Sequence, residues 1–130
     1  MTIRNIRRLL IAVGLLGIPT IALAANDPIP GVDIIVKKDC RPRECPPGIA
    51  ANTDSHGRFT ARIAEPGSYQ IWSDCRSRRA PRPCPARTLT LRATGAEPRR
   101  AADGSYTVTV PRGRAVVLTG MVRTPDTAPR

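Results

Sequence analysis

Residues 52–72 read N-T-D-S-H-G-R-F-T-A-R-I-A-E-P-G-S-Y-Q-I-W. Residues 58–63 alternate, so that one face of a strand would carry Phe59, Ala61 and Ile63. This period of two is typical of a β-strand that buries one side. Turn-forming residues stand on both sides of the strand, an Asp-Ser-His-Gly run before it and a Pro-Gly pair after it. We therefore predict an antiparallel meander of short strands joined by tight turns.

The same stretch holds most of the aromatic residues of the chain. Phe59, Tyr69 and Trp72 lie within it, and the whole sequence has only one Trp, two Tyr and one Phe. A β-domain with so few aromatic side chains is expected to build its core around them. Alternation along the strand that follows the second turn places Tyr69 on the inward face and Trp72 on the outward face.

Two short motifs in this region resemble a known family. The first is T-D-x-x-G-x-F at residues 53–59, and the second is P-G-x-Y at residues 66–69. Together they resemble the carboxypeptidase regulatory-like domains, which belong with the transthyretin-like and Cna-B-like β-sandwiches. The resemblance implies roughly seven strands in two sheets, a common sandwich plan. It also implies an accessory, adhesive or structural role. It covers residues 30–74 by motif and the rest of the chain by strand pattern.

The remainder of the sequence extends the strand pattern and shows no helical period after the first 24 residues. Prolines and glycines separate the strands. The predicted strands are residues 32–38, 49–53, 58–63, 69–74, 87–92, 105–110 and 114–123. We predict an all-β fold, an antiparallel β-sandwich of about seven strands, immunoglobulin-like or transthyretin-like. The sandwich would span residues 32–123, after a lead-in at residues 25–31 and before a disordered tail at residues 124–130.

Residues 1–24 have the composition of a secretory signal peptide with a helical apolar segment. A basic segment precedes an apolar run, which ends in an A-x-A cleavage site at residues 22–24. An uncleaved anchor is the alternative, and Arg7-Arg8 leaves the general secretory and twin-arginine routes both open. No other stretch is long and apolar enough to span a bilayer. We therefore expect a periplasmic or secreted protein without a membrane span after processing.

The chain is strongly basic, with a formal net charge of +11 at pH 7. Removal of the three arginines in the predicted signal lowers Lys plus Arg from 21 to 18 against 10 acidic residues, so the net charge falls to +8. A basic surface attracts anionic partners, although a GC-rich coding sequence would also favour arginine. We expect an envelope protein, an anionic glycan or a lipid head group as partner. Nucleic acid is disfavoured because Trp72 alone is available for base stacking.

The four cysteines form an even set in a chain that is predicted to be exported, which predicts two disulfides. Alternating strand direction places Cys40 and Cys45 at one end of the sandwich and Cys75 and Cys84 at the other. Because disulfide partners have Cα atoms within about 7 Å, we predict the local pairs Cys40–Cys45 and Cys75–Cys84. A zinc site is the rival hypothesis, but C-x4-C and C-x8-C without supporting histidines are poor zinc spacings.

The loop between Cys75 and Cys84 is the main candidate for a binding site. Guanidinium groups on a closed loop bind carboxylate, sulfate or phosphate in bidentate fashion at low ordering cost. The alternative is a solvated loop whose charges contact only water. A second basic group at residues 37–43 is a weaker candidate. The candidate anion-binding residues are Arg76, Arg78, Arg79 and Arg82.

Catalytic chemistry is not indicated. His56 is the only histidine and lies in a predicted turn, where Asp54 is expected to bond its own backbone. The transthyretin-like hydrolases use several histidines and a C-terminal motif that this chain lacks.

We predict no catalytic residue, cofactor or metal. The expected function is that of an exported accessory module that binds through its loops. The first alternative is an assembly domain that pairs an edge strand at residues 114–123 with a partner, and a hydrolase is the second.

Overall fold

Eight β-strands account for the regular structure of residues 26–125, the part of the chain that the computed structural model describes. The predicted signal peptide and the last five residues of the predicted tail lie outside the described residues. The strands are β1 (Asp33–Lys38), β2 (Gly48–Asn52), β3 (Arg58–Ile63), β4 (Gly67–Asp74), β5 (Thr88–Thr94), β6 (Arg99–Arg100), β7 (Tyr106–Val110) and β8 (Val116–Arg123).

The strands form two antiparallel sheets. One sheet has five strands in the order β2-β1-β4-β7-β6, and the other has three in the order β3-β8-β5. This arrangement is consistent with a β-sandwich and confirms the predicted all-β class. The strand beyond the predicted seven is β6, which lies between the strands predicted at residues 87–92 and 105–110. It consists of two exposed arginines, so it carries no apolar alternation that could reveal it.

The core lies between the sheets and is mainly aliphatic. Strand β3 buries alternate residues as predicted, and β7 does the same. Phe59, Tyr69 and Tyr106 join the core, but the largest fully buried side chains are isoleucine, leucine and valine. Trp72 is only half-buried. The expectation is thus confirmed for Phe59 and Tyr69, and the position of Trp72 agrees with its predicted outward face. It is wrong in making the aromatic residues the centre of the core, because branched aliphatic side chains fill most of the space between the sheets.

The predicted meander is also wrong. Strand β3 pairs with β8, whereas β4 pairs with β1 and β7, so the turn at residues 64–66 carries the chain from one sheet to the other. The Tyr69 hydroxyl donates a hydrogen bond of 2.7 Å to the Glu65 carbonyl oxygen. This bond closes the corner at which the Pro-Gly-x-Tyr motif forms a crossover and not a hairpin.

The sandwich has two ends that matter for function. We call the end that carries residues 53–57, 75–87 and 101–105 the lower end, and the end with residues 39–47 and 111–115 the upper end. The lower end also anchors the chain termini of the domain. Ile29 of the predicted lead-in is fully buried and donates its N–H to the Val122 oxygen. Thr124, which we assigned to the tail, is buried as well.

The turn at the lower end explains the Thr-Asp-x-x-Gly-x-Phe motif. The Asp54 carboxylate accepts hydrogen bonds from the N–H groups of His56 at 2.8 Å and Arg58 at 3.0 Å. Gly57 has a φ of +72°, which is a conformation that favours glycine. Asp54 thus bonds the backbone of its own turn, as predicted.

Candidate functional site

Two disulfides hold the loops at opposite ends of the sandwich. Cys40 joins Cys45 at the upper end with a Cα–Cα distance of 5.5 Å, and Cys75 joins Cys84 at the lower end at 5.7 Å. This is the local pairing that the strand geometry predicts, and it uses all four cysteines. Because disulfides persist in oxidising compartments, the pair indicates an extracytoplasmic environment.

The Cys75–Cys84 loop is fixed to the body of the domain near its start. Asp33, which is buried at the beginning of β1, accepts a hydrogen bond of 3.2 Å from the N–H group of Arg76. The same carboxylate accepts a hydrogen bond of 2.8 Å from the Asn52 amide. A buried carboxylate therefore holds the loop backbone in place and is itself satisfied by two donors.

The middle of the loop packs closely on the segment before β1. Ala80 is buried, and a Cβ atom on Gly31 would lie 2.5 Å from the carbonyl carbon and oxygen of Arg79. Gly31 also has a φ of +76°, so both the backbone conformation and the space require glycine. The disulfide therefore closes the loop, and the centre of the loop packs against the segment that precedes β1.

Arg87 anchors the end of the loop, and sequence reasoning missed it. Its guanidinium donates to the Ser73 hydroxyl at 2.9 Å and to the Ser73 carbonyl oxygen at 2.8 Å. It also contacts the Cys84 sulfur at 3.0 Å and donates to the Pro85 oxygen at 3.1 Å. Arg87 thus ties the exit of the loop to β4, a role that no motif signals because its partners are backbone atoms and a serine.

The four candidate arginines fall into two groups. Arg76 forms an ion pair of 2.8 Å with Asp74. This hydrogen bond is the main reason that the pKa of Asp74 lies below its ordinary value. Within residues 26–125, Arg78, Arg79 and Arg82 are exposed and form no ion pair. The loop therefore presents three uncompensated guanidinium groups on a backbone that is held at several points.

A cleft of about 540 Å³ adjoins the base of this loop. Ser73 and Arg87 line it, and so do the half-buried Trp72 and the exposed Arg100. The Asp103 carboxylate, also in the lining, accepts hydrogen bonds from the hydroxyl and N–H groups of Ser105, which lower its pKa. The cleft therefore offers an aromatic surface, cationic groups and an ionised carboxylate, an arrangement suited to a polar ligand.

The remaining basic group, at residues 37–43 of the upper end, has carboxylate partners for two of its four cations. Lys38 forms an ion pair of 2.7 Å with Glu65, and this hydrogen bond raises the pKa of Lys38. Arg41 lies 3.9 Å from Asp39. This group therefore has fewer cations without an ion pair than the Cys75–Cys84 loop.

Residues 114–123 do not form an edge. Their strand, β8, is the central strand of the three-stranded sheet and pairs with β3 and β5 on its two sides. The edge strands among the described residues are β2, β6, β3 and β5. Strand β2 has a bulge opposite Ile34 and Ile35 and follows two prolines, features that protect an edge from strand addition. The motive for edge-strand assembly at residues 114–123 is therefore removed.

Comparisons with known proteins add no assignment. The chain matches no protein-family model, and no characterised protein or solved structure is significantly similar to it. The resemblance to the carboxypeptidase regulatory-like domains stays a prediction from two motifs. Within the described part of the chain, no apolar helix has the length needed to cross a bilayer.

Proposed function

We propose that this protein is an exported, non-enzymatic accessory module, periplasmic or secreted, that binds an anionic polymer of the cell envelope through the Cys75–Cys84 loop. The observation that carries the proposal is the set of three exposed arginines without an ion pair on a loop whose backbone is fixed. Prior fixing lowers the entropy that binding must overcome. Guanidinium groups recognise carboxylate, sulfate and phosphate through paired hydrogen bonds.

The neighbouring cleft supports a polymer as ligand over an isolated ion. It begins at the base of the loop, because Ser73 of β4 and Arg87, which directly precedes β5, line the cleft, and Arg87 also contacts Cys84 of the loop. A chain that places anionic groups on the loop would continue past Trp72 and Arg100, where an aromatic face and a further cation are available. The partly exposed Trp72 is suited to contact an apolar ring face while polar neighbours bond the substituents.

The engagement of the acidic groups in turns supports a non-enzymatic role. Asp54 is held by the N–H groups of His56 and Arg58, and Asp103 is held by Ser105. General acid–base catalysis requires a titrating group within reach of a reacting atom. Neither carboxylate is aimed at a second catalytic group, because each is bonded to its own turn.

Retention on heparin-agarose during a sodium chloride gradient tests the proposal. The loop variant replaces Arg78, Arg79 and Arg82 by Ser. The matched control replaces Arg43, Arg112 and Arg114 at the upper end, also by Ser, so that both variants lose three charges. Both variants lose the same total charge, but only the loop variant would also lose paired hydrogen bonds to the polymer. We therefore expect the loop variant to elute at clearly lower salt than the control. Equal elution of the two variants would show that the loop has no special role.

A further inference from the structure

The outer face of the three-stranded sheet carries a second basic site. Alternate residues of β3, β8 and β5 point away from the core, and they border a depression of about 560 Å³. Its volume falls within the range of about 300–1,000 Å³ that is usual for small-molecule sites. The side chains that the argument uses are Arg58, Arg92, Arg123, Thr90, Thr119 and Met121.

The three arginines in this depression are not compensated by carboxylates. Within residues 26–125, none of Arg58, Arg92 and Arg123 takes part in an ion pair, and the lining contains no acidic residue. The Asp54 carboxylate attracts the Arg58 guanidinium, which contributes to the lowered pKa of Asp54, but the hydrogen bonds of this carboxylate go to the N–H groups of its own turn. Because several positive charges on one face create a field that attracts anions, this cluster favours an anionic ligand.

Strand register gives the spacing of the cluster. Arg58 pairs with Met121 and Arg92 pairs with Thr119. With strands about 4.8 Å apart and a rise of about 3.4 Å per residue, the Cα atoms of Arg58 and Arg123 lie about 8 Å apart. By the same spacing, those of Arg58 and Arg92 lie about 12 Å apart, and those of Arg92 and Arg123 about 14 Å. Cations spread this widely match several anionic groups along a chain better than a single oxyanion.

Two other features favour a glycan over a bilayer or an extended peptide. Thr90 and Thr119 place hydroxyl groups among the arginines. The Thr90 hydroxyl donates a hydrogen bond of 3.3 Å to the Met121 oxygen and keeps its capacity to accept one, which suits the hydroxyl donors of a sugar. The site is a depression in a sheet, into which a chain can settle, whereas a planar bilayer surface would contact only its rim.

We propose that this depression binds a segment of a linear anionic glycan, with Arg58, Arg92 and Arg123 contacting successive sulfate, phosphate or carboxylate groups. The Cys75–Cys84 loop runs from β4 towards β5, and β5 also borders the depression, but the lining of the depression shares no residue with the loop. It therefore stands or falls independently of the function proposed for that loop.

The test is titration with a sulfated heparin hexasaccharide at low salt, followed by ¹H–¹⁵N NMR on the full domain. In the loop variant described above, the amide signals of Thr90, Thr119 and Met121 should still shift. The further change of Arg58, Arg92 and Arg123 to Gln should weaken binding about 10-fold or more, because charge-assisted contacts are lost. Further replacement of Arg43, Arg112 and Arg114 by Gln, in the same loop background, is the matched control and should leave affinity within about 2-fold.

Several outcomes would overturn the proposal. The first is that the depression signals do not move. The second is that the triple Gln variant and its control weaken binding equally. The third is that inorganic sulfate, at equal sulfate concentration, shifts the same signals as strongly as the hexasaccharide, which would indicate a single-ion site. Should the triple variant not fold, Arg92→Gln alone replaces it, since Arg92 is exposed and its loss should weaken binding roughly 3-fold.

Discussion

Replacement of Thr53 by Val would test how the lower end of the sandwich is held together. Thr53 is buried, and its hydroxyl donates a hydrogen bond of 2.8 Å to the Ile29 oxygen and accepts one of 2.9 Å from the Val32 N–H. Valine has nearly the same shape and the same preference for strands. The substitution therefore removes two hydrogen bonds and leaves two buried backbone groups without their partner.

The magnitude follows from those two groups. A buried donor or acceptor that loses its partner costs about 1–3 kcal/mol, and the added methyl group returns about 0.8 kcal/mol. Since two groups lose their partner, a net loss of about 1–5 kcal/mol is expected, a large part of the roughly 5–15 kcal/mol that stabilises a domain.

Urea denaturation of the disulfide-intact protein measures this loss as a lower midpoint with an unchanged slope. Thr60→Val, at an exposed position of β3, is the control and should change stability by less than about 0.5 kcal/mol. If Thr53→Val were as stable as the control, the hydrogen bonds of the Thr53 hydroxyl would not stabilise the contact between residues 29–32 and the turn.

Two further predictions concern the loop and the carboxylates. Gly31→Ala should lower the free energy of unfolding by more than about 2 kcal/mol, because a left-handed backbone and a blocked Cβ position add; an unchanged urea midpoint would contradict the packing of Arg79 on Gly31. The pKa values of Asp54, Asp74 and Asp103 are lowered in the folded state by hydrogen bonds. The stability that these groups contribute is therefore complete above their unfolded pKa of about 3.9 and is lost as the pH falls through the folded values. Urea midpoints between pH 6 and pH 2 should decline below about pH 4, and less steeply in Asp54→Asn; identical curves would refute the assignment.

Alternation of side chains was enough to predict which residues face the core in several strands. Phe59, Ala61 and Ile63 are buried as their spacing indicates, and so are Leu89 and Leu91. The reason is that the period of a strand is fixed by its backbone and does not depend on which strand lies beside it. Pairing of the cysteines was predictable on the same basis, since strand direction alternates even when sheet membership does not follow chain order.

Sheet membership could not be read from local sequence. The turn at residues 64–66 looks like a hairpin, but β3 and β4 lie in different sheets because β8 and β1 supply their partners from distant parts of the chain. Tight turns form in both hairpins and crossovers, so the choice depends on long-range burial. The depression on the three-stranded sheet was missed for the same reason, since Arg58, Arg92 and Arg123 become neighbours only through this pairing.

The motif that indicates the fold also positions the proposed binding loop. The backbone oxygen of Thr53 accepts a hydrogen bond of 3.0 Å from the N–H group of Gly31. Arg79 and Ala80 pack against Gly31. The turn that begins at Thr53 therefore determines where Gly31 lies, and Gly31 determines how far the loop can approach the sheet. A change at Thr53 should accordingly alter the presentation of Arg79 as well as stability, whereas a change at Arg79 itself should leave the turn intact. Backbone contacts thus connect the Thr53 turn to the binding loop through Gly31, so the conformation of the turn affects the position of the loop.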